Sequence, residues 1–173
     1  GTTWSSFNPI AIQSATNFIY IDLPCLNGAG AFAHRWRAGT GSTANQAAAA
    51  MGTERTDNSW HHYTYYKNST TGDMKIYLDG TSWVSATGMT IPLGISTSSL
   101  FRIGNGYTGM LQVTPVGFKA DIDDVRLYNR MLSNLEIAVL GALPRTLYPE
   151  PNMIAYWSFE EGSGTKFFDH SGA

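Results

Sequence analysis

Residues 73–81 read Asp73-Met74-Lys75-Ile76-Tyr77-Leu78-Asp79-Gly80-Thr81, and this stretch decides the fold. Met74, Ile76 and Leu78 fall on one face of an extended chain, Lys75 and Tyr77 on the other. Asp79-Gly80 follows, two residues that tolerate the positive φ a two-residue hairpin demands. Residues 81–87 are therefore the returning strand. On the other side, Trp60-His61-His62-Tyr63-Thr64-Tyr65-Tyr66-Lys67 is rich in aromatics and Thr, which suit a pleated, half-buried surface. The polar loop Asn68-Ser69-Thr70-Thr71-Gly72 joins it to the hairpin.

The same grammar extends outward. Phe101-Arg102-Ile103 is a short strand closed by Gly104-Asn105-Gly106. Residues 120–129 read as a strand, with Val125 and Leu127 on one face and Asp124, Arg126 and Tyr128 on the other. Residues 17–23, 31–36 and 153–160 are further strands. Helical signal is scarce. The alanine run at 47–50 is bracketed by Gly41 and Gly52 and is too short to stand alone. One helix is predicted over 133–140. Ser133 is its N-cap, Glu136 completes a capping box, Leu135, Val139 and Leu140 form its apolar face, and Gly141 ends it. Short strands separated by turns predict an all-β sandwich or jelly roll.

Composition agrees. The chain has 173 residues, about one domain. Hydrophobic residues make up 43% and charged residues 14%, which excludes a disordered polymer. The net charge of -2 provides no basic field for nucleic acid or an anionic membrane. Cys25 is the single cysteine, so neither an intrachain disulfide nor a thiolate metal cage can form; a small buried residue is its expected role. Apolar stretches break well before the ~20 residues of a membrane-spanning helix. Residues 1–7 carry neither a basic start nor an apolar block, so no export signal is expected within them.

Three segments together resemble one family. They are Trp60-His61-His62 with Met74-Lys75-Ile76-Tyr77-Leu78-Asp79-Gly80, then Phe101-Arg102-Ile103-Gly104-Asn105, then Ile122-Asp123-Asp124-Val125-Arg126-Leu127-Tyr128-Asn129-Arg130-Met131-Leu132-Ser133 with Glu136-Ile137. Their order and spacing are similar to the laminin-G-like modules of the concanavalin A-like lectin/glucanase superfamily. The resemblance implies a jelly-roll sandwich of two antiparallel sheets. It also implies core positions for Trp36, Trp60 and Trp157.

The order of the pieces is rotated. Ile154-Ala155-Tyr156-Trp157-Ser158-Phe159-Glu160-Glu161-Gly162-Ser163-Gly164, with Asp169-His170-Ser171-Gly172, resembles the way such a module opens. The expected organisation is a jelly-roll body over 1–140, a Pro-rich connection over 141–152 and an opening strand over 153–173. Two arrangements produce this: the body of one repeat with the opening of the next, or one permuted module. In either, a body lacking its opening strand leaves a sheet edge unpaired. Residues 153–160 are therefore expected to pair with 120–129, in cis within one sandwich or in trans with a neighbouring chain.

Catalysis by two carboxylates needs them about 5–10 Å apart across a cleft. Asp121, Asp123 and Asp124 lack an accompanying Glu, and Glu160 and Glu161 point to opposite faces of a strand, so no catalytic pair is assigned. His61 and His62 also point oppositely, one packing and one facing solvent, which separates them as metal ligands. By the resemblance, a structural Ca²⁺ would draw Asp169 and Glu161 towards Asp124. Sugar binding uses exposed aromatic faces, for which Trp83 and Tyr107 are the candidates. Asn68-Ser69-Thr70 is a glycosylation sequon in a hairpin loop. The expected function is a non-catalytic, lectin-like binding module for a glycan or polysaccharide, part of a larger secreted or surface protein. The alternative is an adhesive repeat that binds protein, neighbouring modules or itself. No nucleic-acid or membrane-inserted partner is expected.

Overall fold

A computed structural model describes residues 10–13, 17–26, 32–40, 43–50, 57–94, 99–104, 121–142 and 150–172. In chain order the elements are β1 (Ile10–Gln13), β2 (Asn17–Leu26), β3 (Phe32–Thr40), β4 (Thr43–Ala50), β5 (Tyr63–Asn68), β6 (Asp73–Leu78), β7 (Thr81–Ala86), β8 (Leu100–Ile103), β9 (Val125–Tyr128), α1 (Asn134–Ala142) and β10 (Met153–Trp157). Among the described residues the strands form three antiparallel sheets, ordered β4-β3-β2-β1-β8, β5-β6-β7 and β10-β9. The architecture is the expected all-β jelly-roll sandwich with one short helix.

The core lies where the five-stranded and three-stranded sheets face each other. Ile21, Trp36, Ala38 and Ala47 from the first meet Met74 and Ile76 from the second. Met74 and Ile76 are completely buried, as the alternation of β6 requires. Asn45 adds a polar pin: its Oδ1 accepts the Lys67 ammonium at 2.9 Å and the Ile91 amide at 2.8 Å. The ring of Phe101 on β8 stacks on Trp157 of β10 with centroids 4.9 Å apart, joining the β10-β9 ribbon to the larger sheet.

The β6–β7 hairpin forms at the predicted residues. Asp79 and Gly80 adopt φ of 49° and 76°, the pair of positive values that a type I′ turn needs. One residue is out of step on the way back. Ile76 pairs with Val84 and Tyr77 with Ser82, which leaves Trp83 as the extra residue of a bulge.

The helix start is as read. The Ser133 amide donates to Glu136 Oε2 at 2.7 Å and the Glu136 amide to Ser133 Oγ at 3.2 Å, a complete capping box. Arg130 grips the same carboxylate at 2.6 Å, and with the Ser133 amide it holds Glu136 down at about 2. The helix face and stop differ from expectation. Ile137 is the buried residue of α1, whereas Leu135 is 74% exposed and Val139 is exposed as well. Gly141 does not terminate the helix, which runs on to Ala142. It sits against the Asp79-Gly80 turn so closely that a Cβ there would lie 2.3 Å from the Gly80 nitrogen. Tyr77 donates its hydroxyl to Asn134 Oδ1 at 3.1 Å and anchors the other end of α1.

Two strand starts differ from expectation, and the alanine run, too short for a helix of its own, joins the sheet. The alanine run lies in β4, paired residue by residue with β3 from Ala33↔Ala50 to Thr40↔Thr43, so the neighbouring strand overrides alanine's helical preference. Strand β9 starts only at Val125, because Asp124 has φ of 52° and breaks the extended run. Strand β5 starts at Tyr63, which leaves Trp60 outside the ladder and 68% exposed rather than in the core. Cys25 lies on β2; its side chain is outside the described residues.

Candidate functional site

The β5–β6 ladder brings the functional groups together. Tyr63 pairs with Leu78, so the chain just before β5 meets the β6–β7 turn. Asp79 holds that junction from both its backbone and its carboxylate. Its amide donates to the His62 carbonyl at 2.8 Å, and its Oδ1 accepts the His62 amide at 2.8 Å. Its Oδ2 lies 2.8 Å from His61 Nδ1. On the far side of the ring, His61 Nε2 lies 3.0 Å from Asp57 Oδ2. Asp57 Oδ1 in turn accepts the Ser59 amide at 2.9 Å, and Asn58 adopts φ of 59° to make that tight turn. Between the two carboxylates the imidazole is largely buried, and next to it Trp60 projects into solvent.

The two histidines have opposite electrostatics. The Asp79 and Asp57 carboxylates, Asp79 foremost, raise the pKa of His61 above its ordinary value despite burial. His62 is pushed below its ordinary value, first by burial and then by the charge of Arg126. Its Nδ1 is buried with no hydrogen-bond partner among the described residues. The expectation of one packed and one solvent-facing histidine thus holds for His62 alone: His61 is clamped rather than free. Antiparallel register contained the missed signal, since the pair before Tyr63↔Leu78 is His62 opposite Asp79.

The binding candidates are distributed differently from expectation. Trp83 is half-buried, with its ring 6.3 Å from Tyr63 and packed on the core cluster. Tyr107 lies outside the described residues. Among the described residues the exposed aromatics are Trp60, Phe167 and Phe168, and Trp60 is the one that adjoins the His61 cluster. Asn68 closes β5, where its Oδ1 accepts the Thr70 and Thr71 amides at 2.9 and 3.2 Å.

Asp124 and Asp169 both contact Tyr156, whereas Glu161 contacts the 168–170 segment. Tyr156 donates its hydroxyl to Asp124 Oδ1 at 2.6 Å, and Arg126 lies 4.9 Å from the centre of the same ring. Asp169 Oδ1 accepts the Tyr156 amide at 2.9 Å and the Ser171 amide at 2.8 Å. Glu161 Oε1 accepts the Phe168 amide at 2.9 Å, and its Oε2 is buried without a partner among the described residues. The Asp124 and Asp169 contacts fall at opposite ends of Tyr156, its hydroxyl and its amide. Among the described residues no three His, Cys, Asp or Glu form a group that could hold a metal ion, so the contacts above do not gather these three carboxylates at one point. The melting temperature is expected to be equal in excess Ca²⁺ and in chelator. A rise of about 5 °C or more with Ca²⁺ would show that the folded chain binds the ion.

Comparison with known proteins bears on the same elements. A laminin G family model, described as the concanavalin A-like lectin/glucanases superfamily, matches residues 2–138. The match takes in β1 to β9 and stops inside α1, before β10. The chain matches no curated protein and no solved structure.

Proposed function

The chain belongs to the concanavalin A-like lectin/glucanase superfamily, and on that premise we propose that it is a non-catalytic carbohydrate-binding module of a larger secreted or surface protein. The observation that carries this reading is Trp60, a largely exposed indole in the segment that carries Asp57 and Asn58 and that His61 and His62 join to Asp79. A pyranose ring presents an apolar C–H face to an indole and hydroxyls to carboxylates, and this surface offers both.

The non-catalytic part rests on the same cluster. Asp57 and Asp79 flank His61 in the way that a catalytic carboxylate pair flanks a glycosidic bond. The imidazole fills the gap between them, where a sugar oxygen and a water would have to sit.

Affinity gels or calorimetry with neutral oligosaccharides test the proposal. Saturable binding is expected, weakened about tenfold or more by Trp60→Ala. Trp83→Ala should lower stability instead, since that ring packs on Tyr63. Binding indifferent to Trp60→Ala, or release of new reducing ends, would overturn the reading.

The self-association alternative has one observation in its favour. Strand β10, which pairs with β9, comes from beyond the matched residues. In that reading β10 is exchanged with a second copy or a neighbouring module.

A further inference from the structure

Every carboxylate oxygen is an acceptor, and a neutral imidazole has one N–H and one lone pair. His61 places each ring nitrogen within hydrogen-bond distance of a different carboxylate, Nδ1 at 2.8 Å from Asp79 and Nε2 at 3.0 Å from Asp57. In the neutral form one of those contacts would set a lone pair against a carboxylate. Only the imidazolium, with two N–H donors, satisfies both. The groups that face this ring are Asp57 from its own segment and Asp79 from the β6–β7 turn. Behind Asp79 stands His62, whose buried ring feels Arg126 and Asp124 near β9. The side of α1 packed on the turn presents Ala138 and Gly141, which carry no charge.

We infer that His61 is a positioning residue: as an imidazolium it clamps residues 57–62 to the β6–β7 turn, and Trp60 is presented to ligand only while that proton is held. The glycan part of this inference rests on the function proposed above; the clamp does not. Asp57 accepts the amide of Ser59, just before Trp60, and shares the ring of His61, just after it, with Asp79, so the indole can hold a fixed attitude while remaining mostly in solvent. The sign follows from the charge. His61 titrates above the ordinary imidazole value of 6.5 in the folded chain. Its contribution to stability is complete below that value and is lost as pH rises through the folded midpoint. The predicted limit is therefore alkaline, opposite to a histidine that disrupts structure on protonation.

The test uses the full chain labelled with 5-fluorotryptophan, the Trp60 resonance being assigned with Trp60→Phe. Proton NMR of the histidine rings is followed from pH 5 to 9. The His61 midpoint is expected above that of an unfolded histidine and the His62 midpoint below it. The Trp60 fluorine signal should move with the His61 midpoint. Asp79→Asn should lower that midpoint. His61→Gln, which has one donor and one acceptor group, should abolish the pH dependence of the Trp60 signal. Affinity for a neutral oligosaccharide should fall at least about fivefold across the His61 midpoint in the native chain. A His61 midpoint at or below 6.5, or a Trp60 signal that ignores it, overturns the clamp, and needs no variant to be seen. Glycan binding constant across the midpoint overturns the presenting role. The expected titration with no glycan bound at any pH overturns the carbohydrate reading and supports the clamp.

Discussion

Ending the chain at Asn152 should lower the melting temperature by at least about 10 °C and blur the cooperativity of unfolding. The deletion removes β10, the strand that pairs with β9 among the described residues. Met153, Ala155, Tyr156 and Ser158 are all buried, and Tyr156 is only 2% exposed. Burying a large side chain such as Met or Tyr contributes about 1.5–3 kcal/mol, an upper figure when the unfolded chain is already compact. Two such side chains, with a ladder of four register pairs, bring the loss to about 4–5 kcal/mol or more, against a typical total of about 5–15 kcal/mol. Secondary damage follows. Val125 would lose its cover, Phe101 its stacked neighbour, and the Asp124 carboxylate the Tyr156 hydroxyl. Thermal unfolding monitored by near- and far-ultraviolet circular dichroism reads the result. An unchanged melting curve would show that the terminal segment is an appendage and that residues before it close the sandwich alone. Sedimentation of the intact chain over a range of concentration distinguishes pairing within one chain from pairing between two.

The features legible in the sequence are the ones that local chemistry dictates. Asp79-Gly80 announces its turn because few other pairs accept positive φ twice in succession. Ser133 and Glu136 announce the helix start because each supplies what the other's amide lacks. Met74 and Ile76 announce the core through a period of two. What long-range packing decides was not legible. Leu135 and Val139 are more apolar than Ala138 and Gly141, yet α1 turns the smaller pair towards the hairpin, because backbone meets backbone there and only small residues fit. Trp60 resembles a core residue by its place in a motif, and its exposure depends on β5 starting three residues later. At the site, the histidine pair was visible. Its carboxylates lie four residues back and eighteen residues ahead of His61, and only the β5–β6 register brings the second of them into reach.

Gly141→Ala offers the sharpest contest between local and long-range physics, because the two predict opposite signs. Within a helix, alanine is favoured over glycine by about 0.8–1.0 kcal/mol, so propensity alone predicts a more stable protein. Here the added carbon would lie 2.3 Å from the Gly80 nitrogen, 2.6 Å from the Asp79 carbonyl carbon and 2.8 Å from the Gly80 Cα. All three are backbone atoms of a type I′ turn whose two φ values are already fixed, so none can swing aside as a side chain would. The approach is tight from the other side too: a Cβ on Gly80 would come within 2.8 Å of the Ala138 Cα. Relief requires the helix to lift by about an ångström, which loosens Ile137 in its pocket and stretches the Tyr77–Asn134 bond. A net loss of about 2–3 kcal/mol is expected, a fall of about 5–10 °C in melting temperature. Val139→Ala, on the exposed face, should change stability by less than about 0.5 kcal/mol and serves as the control. Because the same turn carries the Asp79 carboxylate, displacement should also weaken its hold on His61 and lower the His61 titration midpoint. A more stable Gly141→Ala protein with an unmoved histidine would mean that α1 does not rest on the turn at all.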